Sequence, residues 1–235
     1  MIDQKVFIIT GTSRGIGKQL AGHYLAAGNI VVGCSRNACD IEHKNYTHFI
    51  ADIADEKEVV KLVRKTVQSY GKIDVLLNNA GIATMNHISL TPMSSVQKVF
   101  ATNVFGSFLF LREVSKAMVR QKNGRIVNFL SVALPLRLEG EAIYAASKAA
   151  VQSLTDIAAR EFAPFGITIN AVGPTPVFTD LIKKVPRKKI ESLLQRQAIK
   201  TLGTFPDIIN VIDFFISEKS NFITGQTIYL GGVNQ

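Results

Sequence analysis

Residues 5–17 read KVFIITGTSRGIG, and this stretch decides the fold. Its first part, KVFIIT, is an apolar, β-branched run of strand length, which predicts a buried strand of a parallel sheet. Three glycines follow with the spacing G-x-x-x-G-x-G, and a helical pattern then runs to Ala27. A strand, turn and helix of this kind point backbone N–H groups at a phosphate, which glycine allows the backbone to approach closely. The stretch therefore predicts a dinucleotide site, with a tight turn that holds no ligand as the alternative.

Strand-like and helix-like runs alternate along the rest of the chain. This alternation predicts an α/β fold, a doubly wound, Rossmann-like parallel sheet with helices on both faces, whose ligand lies at the carboxyl ends of the strands. Residues 1–235 are expected to form a single dinucleotide-binding and catalytic domain. Helices are predicted over Ser94–Met118 and Ile143–Phe165, among others, whereas the connection from Arg36 to Asp52 lacks helical periodicity and is predicted to be a turn.

A tyrosine and a lysine four residues apart indicate proton-transfer chemistry. Tyr144 and Lys148 would share one helix face, and Ser131 precedes them at the end of a predicted strand. An isolated phenol titrates near pH ~10, and a neighbouring cation lowers its pKa. We therefore expect Lys148, together with a positively charged oxidised cofactor, to lower the pKa of Tyr144. On its own the Tyr-x-x-x-Lys pattern is equally typical of a solvated helix face.

Taken in order, these motifs resemble the short-chain dehydrogenase/reductase family from Val6 to about Gly232. The glycine turn is followed by Asp52, by Asn78-Asn79-Ala80-Gly81 after the fourth strand, and then by the later motifs. Those later motifs are Asn103, Ser131, Tyr144-x-x-x-Lys148, the segment NAVGPTPVFT from Asn170 to Thr179, and Ile223-Thr224-Gly225-Gln226. The overall pattern is most similar to 3-oxoacyl-acyl-carrier-protein reductases. Two departures from the family are Thr175, where a glycine usually follows Pro174, and Leu230-Gly231-Gly232, which lacks the usual preceding aspartate.

The resemblance implies four catalytic residues, Asn103, Ser131, Tyr144 and Lys148. Ser131 and Tyr144 would bind the substrate carbonyl, and Tyr144 would donate its proton to the developing alkoxide. Asn103 would hold a water that relays protons through Lys148, although an asparagine that satisfies helix backbone is the alternative. Asn78 is expected to anchor the neighbouring strand rather than to take part in the chemistry.

The cofactor is predicted to be NADP(H). The position that would hold the ribose-binding acid of an NAD site has Ser35-Arg36, and a guanidinium suits the 2′-phosphate of NADP. Arg14 would reach the same phosphate, Asp52 would accept from the adenine amino group, and two solvated arginines near a turn are the alternative. The full set of expected cofactor-binding residues is Gly11, Ser13, Arg14, Gly15, Ile16, Gly17, Ser35, Arg36, Asp52, Ile53, Asn79, Ala80, Gly81, Tyr144, Lys148, Pro174, Val177 and Thr179.

The substrate is less well defined by the sequence. The resemblance implies reduction of a carbonyl, such as that of a 3-oxoacyl thioester, to an alcohol. An NAD(P)-dependent alcohol dehydrogenase of a small, sugar, steroid or secondary-metabolite substrate is the alternative. Leu134, Leu136 and Leu138 suggest an apolar cleft wall or, equally, packed core. Residues 183–200 carry seven cations against one acid, Glu191, which predicts either a lid that attracts an acyl-carrier protein or coenzyme A, or a solvated basic face.

Composition favours an enzyme in a reducing cytoplasm. The chain has no apolar run near the ~20 residues of a membrane span, and its two cysteines suggest neither a disulfide nor a metal site. The net charge of +9 keeps a nucleic-acid-binding protein open as an alternative, and a cofactor-binding regulator without turnover is another. We predict neither a nucleic-acid nor a membrane partner. Apolar positions on more than one side of two helices predict a homotetramer, with a dimer as the fallback. These positions are Val104, Phe105, Phe108 and Leu111 on the first helix and Val151, Leu154, Ile157 and Phe162 on the second.

Overall fold

The fold is a seven-stranded parallel sheet with the strand order β3-β2-β1-β4-β5-β6-β7, seen in a computed structural model that describes residues 4–178 and 185–233. The order reverses between β1 and β4, so a crevice opens there at the carboxyl ends of the strands. This architecture confirms the predicted doubly wound, Rossmann-like sheet. The strands are β1 Val6–Thr10, β2 Ile30–Ser35, β3 Tyr46–Ile50, β4 Val75–Asn78, β5 Gly124–Phe129, β6 Ile167–Gly173 and β7 Thr227–Tyr229.

Helices cover both faces of the sheet. One face packs against α2, α4 and α6 through a core that includes Ile8, Leu62 and Phe110, and the other packs against α1 and α8 through Phe7, Leu20 and Ile212. Strands β1, β4, β5 and β6 are buried along their whole length, as expected for parallel strands covered on both sides. The helices are α1 Gly15–Ala26, α2 Glu56–Tyr70, α3 Met93–Phe100, α4 Gly106–Gln121, α5 Ala133–Leu136, α6 Ala142–Phe162, α7 Arg187–Gln195 and α8 Phe205–Ile216.

Two helical features differ from the sequence prediction. The helix predicted over Ser94–Met118 is interrupted, because Ala101–Phe105 forms a π-helical segment between α3 and α4. The short helix α5 was not predicted; it begins four residues after the last residue of β5. The connection between β2 and β3 agrees with the prediction, since residues 36–45, all of which the structure describes, contain no helix.

Candidate active site

The glycine turn lies at the carboxyl end of β1, where it can receive a phosphate. Gly11 and Gly15 adopt positive φ angles of 79° and 58°, which favour glycine. A Cβ on Gly17 would lie 2.2 Å from the carbonyl oxygen of Gly11, so no other residue fits there without a shift of the backbone. Helix α1 begins directly after the extended Arg14, with neither a side-chain cap nor an acid in its first turn. Its first N–H groups are therefore available to an anion.

The segment after β4 joins this turn to the rest of the crevice. The Asn79 side chain donates to the Thr10 carbonyl at 2.8 Å, and the Ala80 N–H donates to the Thr10 hydroxyl at 2.9 Å. A Cβ on Gly81 would lie 3.3 Å from Asn103 Oδ1 and 3.4 Å from Lys148 Nζ. Three of the expected cofactor-binding residues therefore connect the phosphate turn with the predicted catalytic residues.

Asn78 has the structural role that the sequence predicts for it. Its amide donates to Asn128 Oδ1 at 2.9 Å on the adjacent strand β5 and lies 3.3 Å from the Ser107 carbonyl on α4. The side chain is 3% exposed. It therefore ties β4 to β5 and to α4 beneath the crevice.

Asn103 lies in the π-helical segment and is fully buried. Its Oδ1 accepts the Ile82 N–H at 2.8 Å, and its Nδ2 donates to the Ile82 carbonyl and to the Ser147 hydroxyl, each at 2.9 Å. Both amide hydrogens are thus engaged, and the main-chain carbonyl of Asn103 accepts from Ser107 Oγ at 2.8 Å. The side chain satisfies backbone of a neighbouring segment rather than of its own helix. It holds Gly81 and Ile82 against α6, where the reacting groups lie.

Lys148 is buried at the centre of the site. Its side chain projects from α6, and Nζ donates to the Phe129 carbonyl at the end of β5 at 2.7 Å. The residue is 4% exposed, and burial lowers the pKa of its ammonium to about 8. Nζ lies 5.8 Å from the centre of the Tyr144 ring. Residues four apart on α6 therefore meet on one face, as the spacing predicts.

The pKa of Tyr144 is raised by the protein alone. The predicted lowering includes the charge of a bound oxidised cofactor and stays a prediction. Burial raises the pKa of this phenol to about 12, a hydrogen bond with the Ser131 hydroxyl lowers it, and the Glu141 carboxylate raises it further. The cost of desolvating a phenolate outweighs any help from Lys148, whose ammonium bonds to Phe129 and stands over the ring. Tyr144 therefore carries its proton at neutral pH, which is the state that a general acid requires.

Ser131 follows β5 and is oriented by the start of α5. The Ala133 N–H donates to Ser131 Oγ at 3.2 Å, which orients the hydroxyl, and the single serine hydrogen can point to Tyr144 or to a substrate oxygen. The hydroxyl lies beside that of Tyr144. Ser131, Tyr144 and Lys148 are thus brought together from β5 and α6.

The residues expected around the adenosine moiety lie at the carboxyl ends of β2 and β3. Arg14 lies in the glycine turn, and Arg36 follows the end of β2, where the Cys34 carbonyl accepts from the Gly11 and Thr12 N–H groups. Both arginines are exposed. Asp52 is exposed, and one of its oxygens accepts the Ala54 N–H at 3.0 Å. The side chain of Ile53 packs instead against α4, where a Cβ on Gly106 would lie 2.6 Å from Ile53 Cδ1. Two free guanidinium groups beside an anion-binding turn suit an added phosphate.

The segment after β6 forms the far wall of the crevice. Val177 is buried and pairs with Gly203, while the Thr175 hydroxyl donates to Gln197 Oε1 at 2.5 Å. The threonine that departs from the family pattern is therefore accommodated in a buried polar contact. Thr179 of the predicted cofactor set, and Lys183 and Lys184 of the predicted basic lid, lie outside the described residues.

The leucine-rich wall is only partly a cleft. Leu136 is 7% exposed and forms a small core with Val132 and Val233, against which Leu138 packs. These two leucines therefore correspond to the packed-core alternative, whereas Leu134 is half-buried.

The sequence analysis did not single out Ser147, which accepts from Asn103 and donates to the Tyr144 carbonyl at 2.7 Å. Its position next to Lys148 is the only signal in the sequence that pointed to it.

Metal and membrane features are absent from the part of the chain that the structure describes. Within residues 4–178 and 185–233 no cluster of three or more His, Cys, Asp or Glu side chains is arranged to hold a metal ion. None of the described helices combines the length and apolar character needed to cross a membrane.

Comparison with known proteins identifies the family. The model of the short chain dehydrogenase family matches residues 5–190, and the chain therefore belongs to this family. It is 34% identical over 238 residues to the 3-oxoacyl-(acyl-carrier-protein) reductase FabG of Staphylococcus epidermidis, which covers 97% of this chain and 98% of that protein.

Two solved structures are similar over nearly the whole chain. The structure of ElxO with NADP bound has a TM-score of 0.89 and 31% identity, and the match covers 97% of each chain. The ligand-free aldohexose dehydrogenase AldT of Thermoplasma acidophilum also has a TM-score of 0.89, with 29% identity over 98% of this chain and 94% of that one.

The buried ammonium of Lys148 should destabilise the fold at neutral pH. A shift of its pKa from 10.5 to about 8 costs roughly 3 kcal/mol of unfolding free energy, because each pKa unit is worth about 1.4 kcal/mol. The cost is fully present below the folded pKa and disappears as pH rises towards 10.5, since the unfolded chain binds the extra proton in that interval. We expect Lys148→Met to unfold at a higher temperature than the wild type at pH 7, with the difference shrinking by pH 10. Thermal unfolding at both pH values measures this, and a gap that widens with pH would contradict it.

Proposed function

We propose that this protein is an NADPH-dependent reductase that converts a carbonyl to an alcohol, with Tyr144 as general acid. The observation that carries this proposal is the convergence of Ser131, Tyr144 and Lys148 at the carboxyl end of β5, beside Gly81. Gly81 belongs to the segment that is bonded to the glycine turn. A bound dinucleotide would therefore extend from the turn to the three reacting side chains. We take residues 1–235 as one dinucleotide-binding and catalytic unit.

The proposed mechanism follows from the state of each side chain. The cofactor supplies a hydride when it is bound. Ser131, whose oxygen is held by the Ala133 N–H, turns its hydrogen from Tyr144 to the substrate carbonyl. Tyr144 carries a proton at neutral pH and gives it to the oxygen on which negative charge develops. The ammonium of Lys148, fixed by the Phe129 carbonyl, stabilises the phenolate that remains.

The preference for NADP over NAD rests on charge. Arg14 and Arg36 are both exposed near the glycine turn, and no carboxylate follows β2 before Asp40. Asp40 itself is paired with Lys18 at 2.7 Å, on the first helix. It is therefore already engaged and is a poor acceptor for a ribose hydroxyl. The similarity to ElxO, solved with NADP bound, supports the same cofactor.

A 3-oxoacyl thioester is the substrate class that we favour. The match to FabG supports it, and so does the basic helix α7, whose Arg187, Lys188 and Lys189 are exposed. Lys189 Nζ lies 3.1 Å from Met85 Sδ and 4.0 Å from the position of a Cβ on Gly140, so α7 stands over the loops that flank Tyr144. An acidic acyl-carrier protein or the phosphates of coenzyme A would meet positive charge at the mouth of the cleft.

A carbonyl panel assayed with NADPH tests the function. The panel contains an acetoacetyl thioester, a quinone and small ketones, with an aldohexose assayed in the oxidative direction. The similarity to AldT makes sugar oxidation the second candidate. We expect the thioester to have the highest kcat/KM. Turnover of the aldohexose alone would favour the second candidate, and NADPH binding without turnover of any compound would favour a regulatory protein.

The protein is expected to assemble as a homotetramer, with a dimer as the fallback. Phe105 and Phe108 around the start of α4 are 56% and 41% exposed, and Ile157 on the neighbouring α6 is 55% exposed. A symmetric contact between two copies of this helix pair would cover the apolar surface. Light scattering should give a multiple of the 25.7 kDa chain mass, and Ile157→Glu should reduce it. The control is Ile50→Glu, which alters a 68% exposed isoleucine on the edge strand β3, away from the helix pair α4 and α6. A wild-type monomer at micromolar concentration would contradict the prediction.

A further inference from the structure

A chain of hydrogen bonds runs beneath the carboxyl ends of β2 and β3. The Tyr46 hydroxyl lies 2.9 Å from Thr12 Oγ1 in the glycine turn and 2.8 Å from His48 Nδ1. On the other side of the imidazole, Nε2 lies 3.0 Å from the Asn37 carbonyl and 3.1 Å from Ser35 Oγ. His48 therefore links the phosphate turn to Ser35-Arg36-Asn37, the segment that would surround the 2′-phosphate.

The partners of the imidazole determine which nitrogen carries a hydrogen. A backbone carbonyl can only accept, so Nε2 must donate to Asn37. The Ser35 hydroxyl also donates to the Asn37 carbonyl, at 2.7 Å, and its oxygen can accept from the same Nε2–H. Nδ1 is then an acceptor in the neutral imidazole, and the single hydrogen of the Tyr46 hydroxyl can go to Nδ1 or to Thr12 Oγ1. The Asn37 carbonyl thus has two donors, one of which is the serine.

We propose that His48 is a positioning residue for the 2′-phosphate pocket, an inference that rests on the NADP(H) preference proposed above. To bind a phosphate, the Ser35 hydroxyl must turn its hydrogen away from the Asn37 carbonyl. Because His48 Nε2–H still donates to that carbonyl, the carbonyl is not left without a donor when Ser35 rotates. The histidine therefore makes Ser35 available to the phosphate and fixes the backbone on which Arg36 is mounted.

The local fold is built around this arrangement. His48 pairs with Gly33 of β2, and a Cβ on Gly33 would lie 2.3 Å from the Tyr46 hydroxyl and 2.4 Å from Thr12 Oγ1. The absence of a side chain at position 33 therefore leaves room for the hydrogen-bonded chain. The helix-free connection is held to the same turn, since the Cys39 thiol lies 3.3 Å from the Thr12 carbonyl and Asp40 pairs with Lys18 of α1.

Two substitutions of His48 test the roles of its two ring nitrogens separately. Gln carries its amide nitrogen near the position of Nε2, so His48→Gln keeps a donor for Asn37 and Ser35. Asn carries its amide near the position of Nδ1, so His48→Asn keeps a partner for Tyr46 and loses the donor to Asn37. Dissociation constants for NADPH and NADH, measured by titration of the nucleotide fluorescence without a carbonyl substrate, report binding independently of turnover.

We expect His48→Asn to weaken NADPH binding about 10-fold, the effect of one lost hydrogen bond of about 1.4 kcal/mol, and to leave NADH binding within about twofold. His48→Gln should keep both constants within about twofold of the wild type. Unchanged NADPH binding in His48→Asn would overturn the proposal, and so would equal losses for both nucleotides, which would mark a general structural role.

The wild type separates this inference from the function on which it rests. If the wild type binds NADH as tightly as NADPH, the proposed cofactor preference is wrong, and the 2′-phosphate pocket fails with it. If the wild type prefers NADPH and His48→Asn retains that preference, only the role of His48 is overturned.

Discussion

Tyr144→Phe is expected to lower kcat for carbonyl reduction by about a thousandfold, within the range that general acid catalysis contributes. The substitution removes one hydroxyl and leaves the ring beneath Lys148 in place. The proton that neutralises the developing alkoxide is then missing, because the Ser131 hydroxyl and the ammonium of Lys148 are the remaining donors and Lys148 is bonded to the Phe129 carbonyl. NADPH binding, measured by fluorescence titration, should remain within about twofold, since one hydroxyl of the many nucleotide contacts is lost.

The matched control is Tyr70→Phe. The Tyr70 hydroxyl makes a hydrogen bond of 3.0 Å with Thr47 at the far edge of the sheet, so its loss removes a phenol hydroxyl outside the site. Tyr70→Phe should keep kcat near that of the wild type. If Tyr144→Phe retained most of its kcat, the assignment of Tyr144 as general acid would be wrong.

Arg36→Asp is expected to raise the dissociation constant of NADPH by about 100-fold, which corresponds to roughly 3 kcal/mol. The change removes a guanidinium that is exposed at the end of β2 and puts a carboxylate beside the position of the 2′-phosphate. NADH has no such phosphate, and the new carboxylate can accept from its ribose hydroxyl, so NADH binding should stay the same or improve. Parallel titrations with the two nucleotides measure the change in preference.

Arg64→Asp is the control for net charge. Arg64 is exposed on α2, and its substitution alters the total charge by the same amount without touching the crevice. Its nucleotide binding should match the wild type at physiological ionic strength, where distant surface charges are screened. Equal kcat/KM for NADPH and NADH in the wild type would refute the preference itself.

The strands of this fold were predictable because their signals are local. Fully buried parallel strands such as β1 read as continuous apolar runs, and the run predicted over residues 5–10 agrees with the observed strand Val6–Thr10 to within one residue. The short α5 was missed because four residues that include Pro135 carry no helical periodicity. The π-helical segment has no local marker either, since it depends on how Asn103 meets Ile82 across the crevice.

The composition of the site was easier to predict than its electrostatics. The spacing of Tyr144 and Lys148 on one helix indicates that they meet, because helical geometry alone decides it. The direction of the Tyr144 pKa shift depends on burial first, and then on Ser131 and Glu141, and burial is a tertiary property. The pairing of Thr175 with Gln197 likewise joins residues 22 positions apart, and no local pattern indicates such a contact.

The π-helical segment Ala101–Phe105 has a consequence for helical phase. Each residue of an α-helix turns the chain by about 100°, so one additional residue in a turn rotates everything beyond it by that angle. Helix α3 before the segment and helix α4 after it therefore present different stripes to the sheet than a single uninterrupted helix would. Loss of one residue from the segment would restore an ordinary α-helix, but either Phe110 and Val114 would leave the core or Asn103 would rotate away from Ile82. The segment thus lets α3 and α4 continue as one helical element in which Phe110 and Val114 face the core while Asn103 faces Ile82.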